Sequence, residues 1–204
     1  MAAVVRVGVI GLGFMGRTHI AAYQAAKAAG YGCELVAVAD RDVARLSGEV
    51  DGGAGNMNTG GEKTRLFDPA VVRGVADAHV LVKDPGVDLV SICTHTDTHV
   101  GLTLAALEAG KHVLLEKPVA LSVAEVKRVA DAAKASGRVC MPAMCMRFWP
   151  AWAWLKGKIA SGEYGPVQTA MCPRLGSAPA WAGGFSGDSR TSGGALVDLP
   201  IHDT

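Results

Sequence analysis

The chain has 204 residues, of which 50% are hydrophobic and 19% charged, and its formal net charge at pH 7 is +1. This composition is typical of a globular protein, and the near-zero charge gives no electrostatic basis for binding nucleic acid or an anionic membrane surface. No run in the sequence reaches the roughly 18 uninterrupted apolar residues that a membrane span requires, so a membrane is not expected as a partner.

The first part of the chain alternates predicted strands with predicted helices. Residues 4–10 (VVRVGVI) are typical of a strand buried on both faces of a parallel sheet, and an Ala-rich helix is predicted over 17–29. Further strands are predicted over 34–39, 87–93, 112–115 and 138–141, and further helices over 42–50, 68–78, 98–108 and 122–136. Residues 51–61 have the Gly-rich composition of a flexible surface insertion. The alternation predicts an α/β fold with a doubly wound parallel sheet of the Rossmann type.

A change in composition near residue 145 indicates a domain boundary, because all four Trp residues lie beyond it. We therefore assign residues 1–145 to the Rossmann domain and residues 146–204 to a second α/β domain. There the sequence predicts a helix over 150–161, a strand over 166–171, a loop over 173–192 and the beginning of a further element. So few elements do not bury a sizeable core, so we expect this domain to be incomplete: the sequence is truncated, or a partner completes it.

The cysteines indicate the redox setting. There are five, with no CxxC pair and no Cys/His cluster at zinc spacing. Several lie in apolar, strand-like runs, where a free cysteine behaves as a small hydrophobic residue. We therefore expect a cytoplasmic protein without a metal site.

A glycine motif follows the first predicted strand directly. In the sequence GLGFMG, Gly11 permits the turn into a helix, Gly13 lets the backbone approach a pyrophosphate, and Gly16 allows close packing of helix and strand. The amides around Phe14 and Met15, at the start of the helix, would face the phosphates. A glycine motif alone is a weak signal, but this one has the strand before it and the helix after it that dinucleotide binding requires.

An acidic residue ends the second predicted strand and completes this pattern. Asp40 is suitably placed to accept hydrogen bonds from an adenosine ribose, and its charge favours NAD because it would repel a 2′-phosphate. The adjacent Arg41 would instead receive that phosphate, so NADP stays possible. The alternative interpretation is a Gly-rich turn with a solvated aspartate and an ordinary surface arginine.

A polar group, THTDTH, follows the predicted strand 87–93. Ligands of open α/β sheets bind at the carboxyl ends of the strands, so we interpret Thr94, His95 and His99 as the rim of a cofactor site. Asp97 or Thr98 is equally well explained as the N-cap of the next helix.

Three residues, Glu116, Lys117 and Pro118, stand at the end of the next strand. The proline restricts the backbone of Lys117 to extended conformations, which gives the lysine a fixed direction. A lysine partly desolvated in a crevice suits general acid–base chemistry. The alternative, a surface lysine with its stem along the protein, is less favoured because of its position at the ligand-binding edge.

These motifs together resemble the Gfo/Idh/MocA oxidoreductases, a family of glucose–fructose oxidoreductase-like and inositol dehydrogenase-like proteins. The resemblance rests on GLGFMG, Asp40 after VAVA, GKHVLLEKP and the terminal GGALVDLPIHD, and it extends over residues 4–204. It implies a Rossmann domain followed by an α/β domain with a large open sheet, often used for oligomerisation. We therefore expect the full-length form to be a homo-oligomer, and most members are substantially longer than this chain.

The resemblance also implies roles for individual residues. Lys117 matches the lysine that contacts substrate and nicotinamide and assists proton transfer. Glu116 precedes it in the same motif and is expected to contact the cofactor. Asp198 and His202 match the substrate-site pair, with the histidine as the acid/base on the reacting hydroxyl. Arg147 matches an arginine that lies near cofactor or substrate.

The activity expected from this set is hydride transfer between a secondary alcohol of a sugar, inositol or related polyol and NAD(P). Two alternatives stay open. One is a redox-neutral member of the same family that uses its bound NAD transiently for elimination, hydrolysis or epimerisation. The other is a non-catalytic dinucleotide-binding module, suggested by the incomplete second domain.

Overall fold

The computed structural model describes residues 3–54, 57–171, 173, 188–194 and 201. The chain folds as two compact units, Met1–Pro142 and Ala143–Thr204. Among the described residues, no helix is long and apolar enough to cross a membrane. The strands of the first unit are β1 (Val5–Ile10), β2 (Cys33–Ala39), β3 (Glu49–Ala54), β4 (Met57–Arg65), β5 (Arg73–Val75), β6 (Leu89–Ile92), β7 (His112–Leu115) and β8 (Cys140–Pro142). Its α-helices are α1 (Phe14–Ala28), α2 (Ala78–Val82), α3 (Thr96–Glu108) and α4 (Val123–Ser136).

Six strands form one parallel sheet in the order β5-β2-β1-β6-β7-β8. Strand β1 lies at its centre, paired with β2 on one side and with β6 on the other. The chain therefore proceeds outward from β1 in one direction and then returns to build the other half. This is the order of the Rossmann fold, with its topological switch point between β1 and β6, and it confirms the predicted doubly wound sheet.

Apolar residues on both faces of the sheet explain why the strands are buried. Val7 and Val9 of β1 pack with Ile20 of α1, whereas Ile10 packs with Leu102 of α3 on the opposite face. Side chains alternate between the faces of a strand, so the continuous β-branched run of β1 supplies both layers. The parallel ladders hold the carboxyl ends of the strands together at one edge.

Local signals fix the fourth helix as the sequence predicts. The Ser122 hydroxyl accepts a hydrogen bond from the Glu125 amide at 3.3 Å and donates one to the Glu125 carboxylate at 3.1 Å. Gly137 ends the helix in the left-handed conformation, with φ of 64°. The helix predicted over 122–136 is therefore confirmed, with a serine N-cap at its start and a glycine stop at its end.

The helix predicted over residues 42–50 is shorter than expected and is a 3₁₀ helix. The Asp42 carboxylate accepts a hydrogen bond from the Ala44 amide, and the turn it caps is a short 3₁₀ helix, Val43–Ser47. Gly48 then adopts φ of 75°, where an added Cβ would collide with the Phe67 carbonyl oxygen. The chain turns at this glycine into β3, which pairs antiparallel with β4. The region predicted as a surface insertion is thus a two-stranded ribbon, because backbone groups pair whatever the side chains.

The helix predicted over 68–78 is wrong. Asp68 forms a single turn, its carbonyl accepting hydrogen bonds from the amides of Val71 and Val72. The next residues form β5, which pairs with Ala37–Ala39 of β2. Pairing with a distant strand overrides the local signal here.

The second unit contains a 3₁₀ turn, Cys145–Phe148, and the helices α5 (Pro150–Ser161) and α6 (Ser189–Ser192). Helix α5 has the predicted bounds, with Pro150 at its first position and Gly162 in the left-handed conformation after its end. Residues 166–171, predicted as a strand, form neither helix nor strand, since no described strand lies beside them. Residues 174–187 of the predicted loop lie outside the described part of the chain.

Candidate active site

Four polar or glycine-rich segments follow the carboxyl ends of adjacent parallel strands. They come after β1, β2, β6 and β7, which are neighbours in the sheet. The gap between β1 and β6 is the switch point at which open α/β sheets bind ligands. The segments are residues 11–16, 40–45, 93–99 and 116–118.

The glycine loop after β1 is shaped by contacts that only glycine allows. At Gly11, with φ of 88°, an added Cβ would lie 2.7 Å from the Cys93 carbonyl oxygen. At Gly16, an added Cβ would overlap the Gly11 carbonyl oxygen. At Gly13, by contrast, no atom lies within 4 Å of such a Cβ. The loop is therefore tight toward the protein and open on the side where a ligand would approach.

Helix α1 begins in this loop without a side-chain cap. Gly13 is its N-cap, and its first turn contains no acidic residue. Phe14 is 38% exposed and Met15 is half-buried. Because the first amides of a helix have no partner within it, this uncapped start offers N–H donors and a favourable dipole to an anion.

Asp40 links the end of β2 to the glycine loop. One carboxylate oxygen accepts a hydrogen bond from the Leu12 amide at 2.6 Å, and the other accepts one from the Asp42 amide at 2.9 Å. Arg45 also reaches the Asp40 carboxylate at 3.4 Å, whereas Arg41 is exposed. The aspartate thus fixes the loop, and an arginine that the sequence analysis did not single out lies beside its charge.

The residues after β6 divide into an outer and an inner set. His95 is exposed and is the N-cap of α3, a position predicted for Asp97 or Thr98, and Thr94 is half-buried with its hydroxyl 2.6 Å from that of Thr98. His99, in contrast, is only 1% exposed.

The ring of His99 lies between two segments of backbone. Its Nδ1 is 2.8 Å from the Pro118 carbonyl oxygen and its Nε2 is 3.0 Å from the Thr94 carbonyl oxygen. Burial lowers the pKa of His99, although both carbonyl oxygens oppose that shift. The side chain predicted to line the cofactor rim therefore braces the loops beneath the rim.

Glu116 lies at the end of β7 and is 5% exposed. Its Oε1 is 2.9 Å from Nε2 of His19, and its Oε2 accepts a hydrogen bond from the Lys117 amide at 3.1 Å. Lys117 itself is half-buried, and the peptide bond that joins it to Pro118 is cis. The carboxylate predicted to meet the cofactor thus bonds to the protein on both oxygens, and the lysine beside it is only partly covered.

Cys93 lies under the same loops. Burial, together with the nearby Glu116 charge, raises the pKa of the Cys93 thiol to about 12, while the Ser91 hydroxyl opposes that shift. The thiol therefore stays protonated and unreactive at neutral pH.

Three further predicted residues do not belong to the described part of the first unit. Asp198 and His202 lie outside the described residues, and Arg147 is exposed in the second unit. Within the described part of the chain, no three His, Cys, Asp or Glu side chains are grouped as a metal site.

The sequence did not point to two residues of this site: His19, which contacts Glu116, and Ser91, which contacts His19. His19 occupies the buried face of α1, and Ser91 lies in β6 with its hydroxyl 2.6 Å from Nδ1 of His19. The available signal was a histidine beside Ile20 on the apolar face of a helix, and a serine within a buried strand. Only the folded sheet shows that these residues meet.

Comparison with known proteins assigns the family. Residues 5–144 match the sequence model of Gfo/Idh/MocA, described as an oxidoreductase family with an NAD-binding Rossmann fold. The scyllo-inositol 2-dehydrogenase (NAD(+)) of Bacillus subtilis (strain 168) is 34% identical over 135 residues, covering 62% of this chain and 36% of the relative. The inositol 2-dehydrogenase of Acidothermus cellulolyticus is 33% identical over 201 residues, covering 98% of this chain and 51% of the relative.

The fold comparison agrees. The crystal structure of a probable dehydrogenase from Thermotoga maritima matches 98% of this chain and 52% of its own, with a TM-score of 0.70 and 29% sequence identity. The chain thus spans about half or less of the length of these relatives. The family match covers the whole parallel sheet and its glycine loop, and the chain therefore belongs to the Gfo/Idh/MocA family of NAD-binding oxidoreductases.

Proposed function

We propose that this chain is part of an NAD-dependent dehydrogenase that transfers a hydride from a secondary alcohol of a sugar, inositol or related polyol. The observation that carries the proposal is the position of Lys117, half-buried at the carboxyl edge of the sheet and two strands from the glycine loop. The inositol dehydrogenase names of relatives at 33–34% identity support the substrate class.

The residues at this edge fit a dinucleotide. Gly13 leaves space beside an uncapped helix start, which suits a pyrophosphate. The Asp40 carboxylate uses three of its roughly four acceptor positions, on the Leu12 and Asp42 amides and on Arg45, which leaves acceptor capacity for a ribose hydroxyl. NAD bound there would supply the carbon that accepts the hydride.

The chain's own groups would handle the proton and the charge. We assign to Lys117 the hydrogen bond that stabilises negative charge developing on the substrate oxygen. His202 would take the hydroxyl proton, and Asp198 would orient Lys117 or the substrate. We further propose residues 1–145 as the NAD domain and residues 146–204 as the start of a substrate domain, in a full-length protein that forms homo-oligomers.

The test is replacement of Lys117 by Met in a preparation that oxidises a polyol. We expect K117M to abolish turnover, measured as NADH formation, while the Kd for NADH from fluorescence titration stays within about threefold of wild type. Lys83→Met, at an exposed position after α2, is the matched control and should leave both quantities unchanged.

Three outcomes would contradict the proposal. Equal loss of NADH binding and turnover in K117M would remove the catalytic assignment of Lys117. No saturable NADH binding by the folded wild-type chain would remove the cofactor assignment. Turnover of a polyol without net NADH formation would favour the redox-neutral alternative.

A further inference from the structure

A chain of buried polar side chains lies directly beneath Lys117. The Ser91 hydroxyl is 2.6 Å from Nδ1 of His19, Nε2 of His19 is 2.9 Å from Oε1 of Glu116, and Oε2 of Glu116 accepts the Lys117 amide at 3.1 Å. The Ser91, His19 and Glu116 residues are 0%, 8% and 5% exposed. This series of hydrogen-bonded side chains joins β6, α1 and the end of β7, three elements that are distant in sequence.

A donor and an acceptor can be assigned to each hydrogen bond in this series of side chains. An ionised carboxylate only accepts, so we assign a hydrogen to Nε2 of His19, and the Lys117 amide is the second donor to Glu116. A neutral imidazole then accepts the Ser91 hydroxyl hydrogen at Nδ1. Each oxygen of Glu116 is thereby used, which fixes the plane of the carboxylate.

A second buried imidazole holds the other side of the lysine. Nδ1 of His99 is 2.8 Å from the carbonyl oxygen of Pro118. Residues 116–118 are therefore bound to α1 through His19 and to α3 through His99. The backbone of Lys117 is fixed on both flanks, whereas its side chain is only half-buried.

Packing alone does not account for this arrangement. Burying polar and ionisable groups is unfavourable, and apolar side chains of similar volume stabilise a core at least as well. The polar chain ends on the backbone amide of the residue with the proposed catalytic role. Misplacing a reacting group by about 1 Å can reduce a rate about 100-fold, so holding that amide has a functional consequence.

We propose that His19 is a positioning residue that acts through Glu116 to fix Lys117. This inference rests on the proposed function of Lys117. His19 does not contact substrate or cofactor in this scheme; its effect is confined to the orientation of the Glu116 carboxylate and hence of the Lys117 backbone.

Two substitutions of the same histidine separate this role from general stability. In His19→Gln the amide group reaches the place of Nε2 and keeps a donor for Glu116, whereas in His19→Asn it occupies the place of Nδ1 and keeps only the Ser91 contact. We expect H19N to lower kcat about 10- to 100-fold while the Kd for NADH changes less than about threefold. H19Q should recover kcat to within about threefold of wild type.

A readout independent of activity follows the Lys117 amide itself. Hydrogen exchange of this amide, measured by NMR on the folded chain with and without NADH, should lose protection in H19N and keep it in H19Q. His79→Asn, at an exposed position on α2, is the control and should change neither exchange nor kcat.

The outcomes distinguish the inference from the proposed function. If K117M is inactive and still binds NADH but H19N has wild-type kcat or a protected Lys117 amide, the positioning role is wrong and the role of Lys117 stands. If H19N and H19Q lose kcat equally, in proportion to a fall in melting temperature, His19 is only structural. If K117M retains activity, the proposed function of Lys117 fails whatever the His19 variants do.

Discussion

The helices of the two units differ in how far their apolar residues are buried. In the first, α1 and α3 bury Ile20 and Leu102 against the two faces of the sheet. In the second, α5 is similar in length but none of its residues is buried, and Trp154 and Ile159 are 59% and 51% exposed. The parallel sheet gives each helix of the first unit an apolar surface to cover, and the described part of the second unit offers α5 no such surface.

An apolar helix sequence does not by itself place a helix in a core. The mean hydropathy of α5 exceeds that of α1, yet it is α1 that is anchored in the core. The second unit has a groove of about 930 Å³ that is lined by residues such as Trp149, Trp152 and Tyr164. The stability of the described structure should therefore depend mainly on the first unit.

Equivalent truncations in the two units test this comparison most directly. Leu81 of α2 is fully buried between the sheet and its neighbours, whereas Leu155 of α5 is 40% exposed. We expect Leu81→Ala to lower the free energy of unfolding by about 3 kcal/mol, because it loses apolar burial and leaves a cavity. Leu155→Ala should change it by less than about 0.5 kcal/mol.

Urea denaturation followed by circular dichroism measures both variants. Equal destabilisation by the two substitutions would show that α5 is packed as firmly as α2, and the contrast between the units would be wrong.

Within the first unit, glycine-to-alanine substitutions are expected to change the free energy of unfolding in opposite directions at tightly packed and at open positions. At Gly16 of α1 an added Cβ would overlap the Gly11 carbonyl oxygen, and backbone atoms cannot move aside. We expect Gly16→Ala to destabilise by about 1–3 kcal/mol, despite the higher helix propensity of alanine. Gly101 of α3 has no atom within 4 Å of an added Cβ, so Gly101→Ala should stabilise by about 0.5–1 kcal/mol.

Thermal melts of the two variants supply the measurement. A stable Gly16→Ala variant that still binds NADH would mean that the glycine loop is not packed as tightly as the structure has it.

Sequence reasoning found the elements whose signals are local. The signals for β1 and α5 lie within a few consecutive residues: a β-branched run for the strand, and the bounding Pro150 and Gly162 for the helix. The strand predicted over 4–10 and the helix predicted over 150–161 are both confirmed. Strand β5 and the β3–β4 ribbon were missed because they are defined by their partners rather than by their own sequences.

The candidate site also contains parts with a local sequence signal and parts without one. The glycine loop and the Glu116-Lys117-Pro118 segment were visible as motifs, and the structure places them at one edge of the sheet. The contact of His19 with Glu116 joins residues 97 positions apart, so no local pattern contains it. Similarly, sequence proximity pointed to Arg41, but Arg45 is the arginine that contacts Asp40, because the 3₁₀ turn directs it back toward β2.

A substitution at Asp40 tests the effect of the charge of this side chain rather than of its packing. Asp40→Asn keeps an oxygen that can accept the Leu12 amide and removes the negative charge. We expect the ratio of NADPH to NADH affinity to rise about tenfold, since a 2′-phosphate would no longer be repelled, while the melting temperature changes little. An unchanged ratio in fluorescence titrations would show that Asp40 only fixes the loop.

The smallest effect is expected at the surface of the first unit. The Arg6 guanidinium donates to both oxygens of Asp88, at 2.9 and 2.8 Å, and these bonds hold the pKa of the Asp88 carboxyl at about 2, below its ordinary 3.8. Both side chains are more than a third exposed, so solvent screens the pair. We therefore expect Asp88→Asn to lower the melting temperature at pH 7 by only about 2 °C.

The pH dependence of that small difference gives the sharper test. A carboxyl group whose pKa is lower in the folded state stabilises the fold above the unfolded pKa of 3.8, and this contribution is lost as pH falls toward about 2. The melting temperatures of wild type and Asp88→Asn should thus differ at pH 5–7 and converge as the pH is lowered from 4 toward 2. A gap that stays constant over this range would show that Asp88 contributes through hydrogen bonds that asparagine cannot make rather than through its charge.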